Sequence, residues 1–247
     1  MLQMLKPIFA IAATVSVALL LSGCGKADKV AERNADSNMT AAGTANPAAA
    51  PATAISLVDL SAAGEAFEVL TEQAFSANPQ EMNKLVTDVE NATAKIRPEL
   101  RKVTTQKLAM QLVAIKSAIA AKQHADIALS SVEGYRLIVS EFPANNKIPP
   151  AVSLLDYAGF RVQADLKAQP VRWDDTINAL EFANSQWSDV KGRIKDDALR
   201  TKFDAALQMV ATQIAAKDRA GSAKAAIAEL DLVDELENYF ESPVPKL

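Results

Sequence analysis

An all-α bundle of six to eight antiparallel helices is the fold class that the sequence predicts, and three observations predict it. Apolar residues return at three- and four-residue steps over most of the chain after residue 54, the period of a helix with one buried face. Aromatic residues make up only 5% of the 247 while alanine abounds, so the 49% apolar content rests on small side chains suited to close helix packing. No segment shows the alternation of apolar and polar residues that marks a half-buried strand.

The first element is an address. Lys6 precedes an apolar run from Ile8 to Leu21, the charged and apolar regions of a secretory signal, and the run is too short to span a bilayer comfortably. Leu21-Ser22-Gly23-Cys24 closes it and resembles the lipobox of bacterial lipoproteins. The resemblance is confined to residues 1–24. It implies removal of residues 1–23, a covalent diacylglycerol and an N-acyl lipid on Cys24, and a periplasm-facing chain anchored in the membrane, each buried methylene of the acyl chains adding about 0.8 kcal/mol. Gly25 and Lys26 follow without an aspartate, which in this family points to the outer membrane rather than the inner. Residues 24–53, with Asn34, Asn38, Gly43, Pro47 and Pro51 among alanines, read as a lipidated cysteine and a tether.

The helical domain, residues 54–247, follows. Ile55, Val58, Ala62, Ala66, Val69 and Phe75 set out a first helix. Asn78-Pro79 supplies a cap and a proline at the first helical position of a second, which ends or kinks at Pro98. Leu100 to Val139 is one long helix or two joined near Lys122, and Pro143 to Pro150 breaks the domain. Four more segments read as helical: Ala151–Leu166, Asp174–Ile194, Asp197–Ala216 and Ser222–Phe240, with Gly221 and Pro243 as punctuation.

Residues 54–143 and 149–243 resemble each other at a shift of 95 to 98 residues. Ile119-Ala120-Ala121-Lys122 returns as Ile214-Ala215-Ala216-Lys217, Lys107-Leu108 as Lys202-Phe203, and Leu57-Val58-Asp59-Leu60 as Leu154-Leu155-Asp156-Tyr157. Two similar units with a groove between them would follow.

The chemistry the chain excludes is clearer than the chemistry it offers. Cys24 is the sole cysteine, so the folded domain has no disulfide, thiolate metal site or cysteine nucleophile. A formal charge of −4 with scattered lysines and arginines leaves no basic face for nucleic acid. No phosphate-binding glycine loop, zinc-protease helix or serine-hydrolase elbow occurs, and an enzyme is not expected. His124, the one histidine, shares a helical face with Ala128, Ser131 and Tyr135. Asp59 and Asp156 occupy matching places among apolar neighbours, and Glu133 answers Asp231. An inward carboxylate needs a cation or donors, so Asp59, Asp156, Glu133 and Asp231 are the candidates for a polar interior site; with the lone histidine, Asp59, Glu133, Asp156 and His124 are the candidate ligand- or metal-binding residues, and pairing with Arg136, Arg161 or lysines is the structural alternative. Trp173, Trp187, Tyr135, Tyr157 and Tyr239 could rim a groove or seal bundle ends.

Three functions fit. The first is a lipid-anchored, non-catalytic module that binds an envelope protein or a small ligand, with no resident cofactor. The second is a periplasmic metal or haem carrier, and the third a structural component of an envelope assembly.

Overall fold

The computed structural model describes residues 56–242, and among them stand eight α-helices and no strand. The signal segment, Cys24, the tether and Pro243 lie outside the described residues.

Helix α1, Leu57–Gln73, packs Leu60, Ala63, Phe67 and Leu70 inward. At the start of α2, Pro79–Ile96, the Asn78 carboxamide oxygen accepts the Gln80 and Glu81 N–H groups at 2.9 and 3.0 Å, while Glu81 accepts the Asn78 N–H at 2.9 Å. That reciprocal capping box satisfies N–H groups the first turn cannot. The helix stops two residues short of Pro98. The long pattern that follows is two helices, α3 (Lys102–Ala120) and α4 (His124–Val139). Lys122 between them takes a left-handed φ of 56°, and the Gln123 and Lys122 N–H groups return to the Ala118 and Ile119 carbonyls. This is the Schellman closure, which ends a helix by turning one residue left-handed.

In the second half stand α5 (Pro150–Lys167), α6 (Trp173–Lys191), α7 (Asp197–Ala215) and α8 (Arg219–Glu241). Helix α7 closes as α3 does: Lys217 has φ 50°, and the Asp218 and Lys217 N–H groups return to Gln213 and Ile214. Asp218 then caps α8 by accepting the Gly221 N–H at 3.0 Å. Gly221 is therefore inside the first turn of α8 and does not punctuate its start at Ser222, because the aspartate three residues earlier supplies the cap.

The two halves share most of one packing pattern. In the first, α1 packs on α2 and α4, and α4 on α3; in the second, α5 packs on α6 and α8, and α8 on α7, with α6 also on α7. The corresponding helices begin 93, 94, 95 and 95 residues apart. One core gathers Phe67, Leu70, Ile96, Leu108, Ile115 and Ile138; the other half packs Leu155, Ile194, Phe203 and Val233, with Trp187 stacked on Phe203 at 4.4 Å. Helices α4 and α5 join the halves. They run antiparallel, since Arg172, beyond the end of α5, reaches Asp126 at the start of α4 at 2.5 Å. Helices α1 and α4 are antiparallel too: the end of the first meets the start of the second where His124 donates from Nδ1 to the Ala74 carbonyl at 2.6 Å. Hence α1 and α5 run the same way.

Candidate functional site

A groove of about 350 Å³ lies between α1 and α8, which stand on either side of it without packing on each other. Its floor is α5, with Ala128 of α4. Helix α8 crosses α5 antiparallel, Gly159 lying against Glu229 and Leu230, so three helices contribute residues in register.

At one end stand Glu68 of α1, Asp156 of α5 and Asp234 of α8. One turn further along are Glu72 and Asp231, over Phe160 and Leu230. The far end is apolar and cationic: the Lys167 ammonium sits 4.3 Å from the centre of the Phe75 ring. From Asp156 to Lys167 the groove extends about 16 Å at the rise of an α-helix.

Asp156 is the unusual group. Only 7% of it is exposed, yet no hydrogen bond or ion pair among the described residues reaches its carboxylate. Burial, reinforced by Glu237, Glu68, Glu229 and Asp234, pushes its pKa well above the ordinary carboxylate value. Glu68 is pushed up to about 7, by burial first and then by Glu65, Glu72, Glu237 and Asp234. Glu72 and Glu237 are raised for the same reasons. Among the described residues none of these carboxylates has a basic partner within ion-pair distance.

The chain does pair its carboxylates elsewhere. Across the α4–α5 seam, Glu133 takes the Arg136 Nε at 2.9 Å, the Tyr157 hydroxyl at 2.5 Å and the Arg161 guanidinium. Tyr157 is thereby pushed up to about 12, through burial and the Glu133 carboxylate. Asp165 lies behind, 3.8 Å from Arg161 and otherwise without a partner, and burial raises it to about 7. Three arginines serve this seam, counting Arg172, and none serves the groove.

The four candidate residues thus separate. Asp156 lies in the groove as an inward carboxylate. Asp59 does not share its environment: it is exposed, because its neighbours Leu57 and Val58 are themselves 39% and 76% exposed at the open start of α1. Glu133 is on the opposite side of α5 from Asp231 and is held by two arginines and a tyrosine. His124 ties the end of α1 to the start of α4. The four do not converge, and no three His, Cys, Asp or Glu side chains among the described residues gather around a point that could hold a metal ion.

The aromatic residues divide between core and groove. Tyr135, Tyr157 and Trp187 are core residues, and the groove takes its rings from Phe75 and Phe160. Asp231, matched to Glu133 by the repeat, does line the groove, whereas Glu68, Glu72 and Asp234 escape sequence reasoning because each sits at helical spacing from other polar residues, the pattern of a solvated face. Only the placement of α8 beside α1, some 160 residues away in the chain, makes them walls. Comparisons with protein-family models, curated proteins and solved structures return no match to this chain, so the groove is read from its own chemistry.

Proposed function

We propose that this protein is a lipid-anchored, periplasm-facing, non-catalytic binding module of the bacterial envelope, and that the α1–α8 groove is its binding site. The observation that carries the reading is Asp156: a buried, unpartnered carboxylate at the floor of an open groove whose walls carry four more. A carboxylate held this way costs stability unless something outside the chain compensates it. The groove offers carboxylates and apolar surface, and the hydroxyl among its lining side chains, that of Thr71, donates to the Phe67 carbonyl at 2.9 Å rather than to a base, which fits holding a ligand better than transforming one. The signal segment and Cys24 support the address, with the lipids on Cys24 as the membrane contact.

Native mass spectrometry of the full chain, extracted from the envelope in mild detergent, tests both parts. A mature mass beginning at Cys24 with its acyl groups is expected. So is a further stoichiometric mass that denaturation removes and that the Asp156→Asn variant lacks. A bare polypeptide mass, with photocrosslinks to an envelope protein from faces outside the groove, would replace this reading with that of an assembly component.

A further inference from the structure

We infer that the groove takes a linear aliphatic diamine or polyamine, its ammonium groups seated on two successive rungs of carboxylates and its methylenes lying on Phe160 and Leu230. The inference rests on the binding reading above and names the class of ligand.

Three observations narrow the chemistry. The groups without partners in the groove are carboxyls, and the deepest is Asp156, nine-tenths buried and without a donor among the described residues, so the missing partner is a cation that would favour their ionised form. The carboxylates are spread along the groove rather than gathered. Glu68, Asp156 and Asp234 form one rung, and Glu72 and Asp231 the next, about one helical turn or 5–6 Å away. A divalent metal wants about six oxygens around one point, and no three acidic side chains among the described residues supply that. A cation whose charge is divided between two ends of a short carbon chain suits two rungs, because each ammonium meets carboxylates from facing helices. Finally, the surface between the rungs is apolar, from Phe160, Leu230 and Ala164, which favours methylenes over a hydrated ion.

Lys167 sets the length. Its ammonium, held over the Phe75 ring at 4.3 Å, occupies the place where a third ammonium of a longer ligand would lie. A four- or five-carbon diamine therefore fits better than a triamine, and removing the lysine reverses the preference.

Isothermal titration of the full chain in detergent, with putrescine, spermidine, butylamine and magnesium chloride, decides the matter. Putrescine is expected to bind one to one and more tightly than butylamine or magnesium. Asp156→Asn and the exposed Glu72→Gln should each weaken it about tenfold or more, while Asp59→Asn, which removes an equal charge outside the groove, leaves it unchanged. Lys167→Ala should turn selectivity toward spermidine. No binding of either polyamine, magnesium binding as tightly as putrescine, or equal weakening by Asp59→Asn would each overturn the proposal. If polyamines fail while native mass spectrometry still finds a different mass that Asp156→Asn releases, the amine class falls and the groove stands as a binding site.

Discussion

Two helix pairs, α1–α4 and α5–α8, make the same contact with different side chains. Gly134 of α4 has no Cβ because the Phe67 ring, wholly buried, fills that space. At the equivalent place in the second half the small residue is Val162 and the large one is Glu229. Its carboxylate enters an apolar corner formed by Ala158, Val162, Ala183 and Val210, and its Oε1 has no donor. Gly134→Ala should lower stability by about 1–3 kcal/mol, since Phe67 has nowhere to retreat; chemical denaturation with an unchanged slope would measure it. Residues of this kind were unevenly legible in the sequence. Asp156 stands among apolar residues and is inward. Asp59 stands among apolar residues too, but those are exposed, so an apolar neighbourhood marks the interior only where the helix itself is covered. Glu229 carried a signal in the repeat, where it falls opposite Gly134, but nothing in its local pattern marks it as buried.

The helices were legible where local chemistry writes their ends. Asn78, Pro79 and Glu81 set the start of α2 with no help from tertiary contacts, and Pro98 follows its end closely. The division of the long third pattern into α3 and α4 was less legible, because the residue that turns left-handed is a lysine where glycine is the common choice. Lys122 and Lys217 each carry the steric cost of that conformation, about 1–2 kcal/mol. Lys122→Gly and Lys217→Gly should therefore each raise the unfolding free energy, by about 0.5–1 kcal/mol after the greater freedom of glycine in the unfolded chain is deducted. Thermal melts of the two variants should show similar gains, since the two caps share their hydrogen bonds.

At the scale of the molecule, buried carboxylates shape the response to pH. A carboxyl that ionises less readily in the folded chain than in the unfolded one favours the fold while it holds its proton. That contribution is complete below the ordinary value and is lost as pH rises through the folded value. For Glu229, which burial pushes from 4.5 to about 8, the window runs between those two values; for Glu68 and Asp165 it closes at about 7. The melting temperature should accordingly fall between about pH 5 and pH 8.5. Glu229→Gln should flatten that decline, melting higher than the parent above pH 8 and showing no advantage near pH 5. An equal slope in both proteins would place the cause elsewhere. The all-α class could be read from periodicity. The groove could not, since it exists only where the first helix of one half comes to stand beside the last helix of the other.

That arrangement ties the site to the order in which the chain is made. The wall carrying Glu68 and Glu72 belongs to the first described helix, and the wall carrying Asp231 and Asp234 to the last. A nascent chain ending at residue 218 already has the first half, the floor and Asp156, but only one wall. A chain emerging N-terminus first would thus complete its set of groove carboxylates last, and any chain clipped before Arg219 would lack the wall carrying Asp231 and Asp234 while retaining the sequence of the other seven described helices.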